Sequence, residues 1–301
     1  MTRTKQPGDP NRSLESFLGA NSSHSWAFTY RFRSKAFSWK SSALAAKRFQ
    51  EAVAEIRKAT RTTPVLAADG VVTLLERLWP SLQQIDTSSG ALRNAVQWTH
   101  QELLPLVIAA PADRPTRDRW LDRLWQAILD DGVDYLALVQ DRWGELCASP
   151  EVASQWADRF VPLMRQAWSD PRPGNMVTGS SLCLSSLLAA GRHQDLWNLL
   201  AMARFPFWHY RKFGVEALVR ESRWDDALAY AEATRGLNQP DRSIDAACER
   251  ILLDCGRYDQ AYRRYALTAN EAATGLATFR AIAKKYPHRD PATIFLDLAK
   301  S

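Results

Sequence analysis

Chemistry that closes disulfides or holds zinc is nearly missing from this chain. Its four cysteines, Cys147, Cys183, Cys248 and Cys255, are spread through 301 residues with no Cys-x-x-Cys pair. Neither a disulfide framework nor a zinc-ligand spacing is therefore present, and reduced, buried thiols are expected. On one helix, Cys248 and Cys255 would be separated by ~10.5 Å of rise, too far to bridge. Long apolar runs are lacking too. The stretch 103–110 is interrupted by Pro105, well short of the ~20 residues a membrane span needs. Residues 1–21 hold no apolar segment of the secretory-signal kind. A cytoplasmic chain with no membrane partner is expected.

Glycine and proline are sparse, at 13 and 15 residues, too few for a sandwich that turns every ten residues. Helices joined by short turns fit better, so the expected class is all-α. Catalytic signatures are also lacking. His100-Gln101-Glu102 is not the His-Glu-x-x-His of a zinc hydrolase, no Gly-x-Ser-x-Gly elbow occurs, and no glycine-rich phosphate loop precedes a helix. The histidines at 24, 100, 193, 209 and 288 are scattered, and Asp130-Asp131 before Gly132 marks a helix end. A noncatalytic protein with no metal and no cofactor is expected.

What the chain does have is charge at one end. Residues 1–60 hold eleven Lys or Arg against four acids, an excess of seven, whereas the whole chain carries +6, so the other 241 residues sum to −1. Within this basic stretch the sequence at 26–33 reads Trp-Ala-Phe-Thr-Tyr-Arg-Phe-Arg, with aromatics at every second position. That period of two is the mark of an extended strand. Residues 1–40 are accordingly expected to form a basic, partly extended N-terminal arm, with a short helix at 14–18. Two outcomes are open for the run from Trp26 to Lys40. Its aromatics stack bases while Arg31, Arg33, Lys35 and Lys40 neutralise phosphates, or its aromatics cover the first helices and its charges face water.

Beyond Ser41 helical patterning takes over. Helices are expected at 43–59; from a cap at Asp69 to about Trp79; at 91–107 with a kink at Pro105; from a cap at Thr116 through Ile128; at 135–143; and from Pro150 to about Trp168. Residues 41–168 read as one helical lobe of degenerate repeats. The loop 169–174, with two prolines and a glycine, is the candidate boundary.

After it one phrase recurs. Gly191-Arg192-His193-Gln194-Asp195-Leu196, Ser222-Arg223-Trp224-Asp225-Asp226-Ala227 and Gly256-Arg257-Tyr258-Asp259-Gln260-Ala261 place their arginines 31 and 34 residues apart. That is the period of two-helix repeats. Gly or Ser ends the first helix, the third residue wedges between the helices, Asp favours the positive start of the second helix, and a small residue permits close approach. A hairpin of this kind cannot bury its apolar face alone, so copies stack.

On these residues the part 176–301 resembles the tetratricopeptide-repeat family. Gly256, Tyr258 and Ala261 match its small, aromatic and alanine positions, as do Ser222, Trp224 and Ala227; at Gly191, His193 and Leu196 leucine replaces the alanine. The segments 205–214, 256–265 and 277–287 are similar to bacterial helical-repeat proteins of no assigned activity. The resemblance implies a right-handed α-α superhelix of helical hairpins that binds other proteins. Those relatives continue beyond the equivalent of Lys300, so an apolar end at 294–298 is expected to favour self-association or docking.

The leading partner-binding candidates are Trp208, Tyr210, Arg211 and Lys212, because the nine residues 205–213 hold five aromatics and three potentially cationic groups and such residues dominate interfaces. Arg257 and Arg264, from a basic row along the last repeats, complete the set. The same residues are equally readable as packing between repeats and as a solvated face. The expected function is a noncatalytic scaffold for a protein partner or a second copy of itself. The alternative is a nucleic-acid-binding protein, or a subunit of a nucleoprotein complex, using Arg31, Arg33, Lys35 and Lys40.

Overall fold

The structure, a computed structural model, describes residues 24–86, 88, 90–169, 177–203, 205–236 and 241–300. Among them there are seventeen helices and no strand. The segment 1–23, including the helix expected at 14–18, lies outside the described residues.

The expected extended run is a correction. Residues Phe28–Arg31 form a helical turn, α1. Positions 28 and 32 lie four apart and so share one face of a helical turn, as period two also allows; Phe28 and Phe32 are both fully buried, while Tyr30 between them points outward and is 73% exposed. Glu55 of α2 (Ser42–Thr60) stabilises the turn by accepting the N–H groups of Ala27 and Phe28 at 2.6 and 3.2 Å, the usual role of a carboxylate at a helix start.

Helix α3 spans Pro64–Glu76, with Pro64 in the first turn where its missing N–H costs nothing. The short α4, Leu78–Leu82, follows. Asp69 is therefore no cap. From mid-helix it accepts hydrogen bonds from Trp120 Nε1 at 3.0 Å and Arg123 at 2.8 Å, tying α3 to α6 (Arg114–Asp130). Helix α6 is capped by Asp113 rather than Thr116: the Asp113 carboxylate accepts the Thr116 N–H at 2.9 Å.

Helix α5, Ala91–Ala109, carries Pro105 inside it. At its C-terminal end the buried Arg117 donates to the carbonyls of Val107 and Ala110 at 2.6 and 2.7 Å. Carbonyls left over at a helix end thus solvate a buried cation. The short helices α7 (Ala137–Asp141) and α8 (Trp143–Leu146) precede α9, Pro150–Ser169. Gly144 of α8 sits so close to α10 (Ser180–Ala189) that a methyl group there would overlap the Ser185 carbonyl.

From α10 onward the helices pair: α10 with α11 (His193–Met202), α12 (Trp208–Arg220) with α13 (Trp224–Glu232), and α14 (Asp241–Asp254) with α15 (Tyr258–Ala269). In each pair the turn is the same. Gly191, Ser222 and Gly256 have φ of 69°, 58° and 78°. The following arginine N–H returns to the first helix, from Arg192 to Leu187 O, Arg223 to Leu218 O and Arg257 to Leu252 O, at 2.9, 2.9 and 2.7 Å. This is a Schellman end, which a left-handed residue makes possible. A turn this short reverses the chain, so the two helices of each pair run antiparallel. Helices α16 (Gly275–Lys285) and α17 (Pro291–Lys300) close the described chain.

The apolar interior has two clusters that meet on α12. One runs from Trp26 to Ala217, passing from α9 to α10; the other runs from Trp208 to Ile294, and Trp197 packs against both. All four cysteines are free thiols. Burial pushes Cys147, Cys183 and Cys248 up to about 12.

Candidate functional site

The aromatic segment at the start of α12 is drawn inward. Trp208 and Tyr210 are 9% and 8% exposed. Tyr210 lies against Trp168 with ring centroids 5.1 Å apart, and burial raises its phenol above the ordinary value. Gly214, one turn on, has no side chain because Trp197 and Tyr230 both lie against it; a Cβ would meet each ring at 2.9 Å. Arg211 stacks over Tyr230, 4.8 Å from its centroid. Lys212 reaches α7 and pairs with Asp141 at 2.5 Å. Of the four residues nominated here, two form core and two are engaged by neighbouring side chains.

The basic row is similarly occupied. Arg257 pairs with Asp225 of the preceding turn and holds its carboxyl below the ordinary range. Arg264 lies over Tyr265 at 4.9 Å and reaches Glu232 at 3.4 Å. Arg257 belongs to a series: Arg192 bridges to Asp158 at 2.5 Å and Arg289 to Asp259 at 2.6 Å. In each case an arginine before the second helix of one pair meets an aspartate 30 to 34 residues earlier. The recurring arginine thus reports contact between successive hairpins as well as a turn.

What remains open is a groove of ≈570 Å³ bounded by α7, α8, α10, α12 and α14. Its floor is apolar, with Leu188, Phe213 and Val215, and its rim is charged. The rim charges are mostly matched: Lys212 by Asp141, Arg250 by Glu216 at 2.8 Å, and Arg220 by the Leu188 carbonyl at 3.0 Å. Three successive first helices, α10, α12 and α14, contribute to it. No protein-family model, no curated protein and no solved structure matches this chain. Sequence reasoning named Lys212 on the groove but missed Ser185, Glu216, Arg220 and Ala247. The available signal was that first helices of stacked hairpins share a face, so small residues such as Ala189 and Ala247 leave space there.

At the other end of the molecule, Arg31 pairs with Glu51 at 2.7 Å. Arg33 stacks over Tyr30 at 4.6 Å. Lys35 and Lys40 are exposed and make no ion pair among the described residues. Trp39, which sequence reasoning left unmarked within the run, is 64% exposed.

Proposed function

We propose that this chain is a noncatalytic helical-repeat scaffold, its hairpins stacked as a right-handed superhelix of the tetratricopeptide type, that holds a polypeptide segment of a partner protein in the groove across α10, α12 and α14. The observation that carries this reading is the groove itself: an apolar floor with matched charges at the rim, built from successive first helices. Apolar floors supply the energy of peptide binding, and rim charges that already have partners cost little to cover. The earlier emphasis on Trp208 and Tyr210 shifts accordingly. They shape the wall from within, and the contact surface is Lys212, Glu216, Arg220, Ala247 and Arg250.

The test is selection of peptides from a displayed library against the full chain, followed by binding to a groove-filled variant, Ala247→Trp. A selected peptide is expected to lose roughly tenfold or more in affinity there. An Arg263→Ala variant, altered on an exposed second helix, is expected to bind as the parent does. Peptides that ignore Ala247→Trp in a folded protein would remove the groove from the account.

A further inference from the structure

We infer that the outer face of residues 30–40 is a binding site for single-stranded nucleic acid, separate from the groove. The segment follows a fixed path over the connection from α3 to α5. Arg77 Nη1 donates to the Thr29 carbonyl at 3.4 Å, the Lys35 N–H donates to Pro80 O at 2.8 Å, and the Asp86 N–H donates to Trp39 O at 3.0 Å. Beneath, Phe32 and Phe37 touch with centroids 5.6 Å apart and are buried. The chain is therefore held from below while alternate side chains are turned out. Those side chains are, in order, Tyr30, Arg33, Lys35, Trp39 and Lys40, all exposed.

Two rings this exposed have no packing role that explains them, since the four neighbouring aromatics Trp26, Phe28, Phe32 and Phe37 fill the core. The charge beside them is unbalanced. Residues 24–55 hold Arg31, Arg33, Lys35, Lys40, Lys47 and Arg48 against Glu51 and Glu55. Both acids are spent: Glu51 on Arg31 and Arg48, Glu55 on the start of α1. A row of cations tracks a phosphate backbone, and exposed rings stack on base faces. Base faces are accessible in a single strand and closed in a duplex, which fixes the class of ligand. Lys35 adds an independent sign. Its φ of 54° is left-handed, a conformation glycine adopts without strain and lysine does not, so a cation stands where backbone geometry favours glycine.

Fluorescence anisotropy of a labelled oligo(dT) of about 20 nucleotides with the full chain tests this, at about 50 and 200 mM salt. Binding at low salt that weakens at high salt is expected. Tyr30→Ala with Trp39→Ala is expected to lose roughly tenfold or more in affinity, and Tyr30→Phe with Trp39→Phe to keep it. Lys35→Gly with Lys40→Ser is expected to reduce the slope of log K against log salt by about 0.7 per lysine removed. If the alanine pair fails to fold, the phenylalanine and lysine variants decide the matter alone. No binding at low salt, a salt slope untouched by the lysine pair, or full affinity in a folded alanine pair would overturn the site. So would binding to anionic phospholipid vesicles without binding to the oligonucleotide.

Discussion

Trp26 lies on Gly70 so closely that a methyl group at Gly70 would overlap the six-membered ring of the indole. A residue just before α1 is thereby seated on the middle of α3, and residues 24–40 become part of the first apolar cluster. Gly70→Ala is expected to cost about 1–3 kcal/mol through overpacking. Urea denaturation should show the loss, and limited proteolysis should cut within 24–40 sooner than in the parent. Unchanged stability would mean that the segment is not held as described.

The repeated turn gives opposite expectations at equivalent positions. Ser222 has φ of 58° where Gly191 and Gly256 have 69° and 78°. Ser222→Gly should stabilise by about 0.5–1 kcal/mol, because the left-handed conformation is strained for serine, and Gly256→Ala should destabilise by about 1 kcal/mol. Thermal melts of the two variants check both signs.

Glu249 on α14 is buried and accepts hydrogen bonds from Asn270 at 2.7 Å, Tyr286 at 2.8 Å and Lys285 at 2.5 Å. Carboxylate proximity together with burial raises the Tyr286 phenol above its ordinary value. Glu249→Ala should cost about 3–5 kcal/mol by stranding these donors, and Glu249→Gln should cost less because one acceptor remains. Hydrogen exchange should quicken in α16 and α17 while α3 keeps its protection.

His100 is 1% exposed, and its Nε2 has no hydrogen-bond partner among the described residues. Burial lowers its pKa from 6.5 to about 4. An unfolded chain therefore takes up a proton near pH 6.5 that the folded chain refuses until about pH 4. The stability held above pH 6.5 should fall between these values by about 3 kcal/mol and change no further from this cause below pH 4. His100→Met should flatten that part of a stability curve measured by urea denaturation.

The all-helical class was legible in the sequence because glycine and proline are few and the three phrases at 191, 222 and 256 are turn chemistry, which is local. Period two at 26–32 misled because 28 and 32 satisfy a helical spacing equally well, and the acid that favours the helix, Glu55, lies 27 residues away. Asp69 and Thr116 have the composition of caps, but the partners of Asp69 are on α6, and Asp113 stands three residues before Thr116. Residues rich in aromatic and cationic side chains drew attention at 208–212, where packing absorbs them. The groove is set by small residues on three helices, and no contiguous stretch of sequence carries that pattern.

The groove is the central claim, and calorimetric titration of a selected peptide into the parent and into Ala247→Trp, side by side, tests it most directly. The account expects a one-to-one complex with the parent and little or no heat with the folded variant. Equal affinities for the two proteins would contradict it.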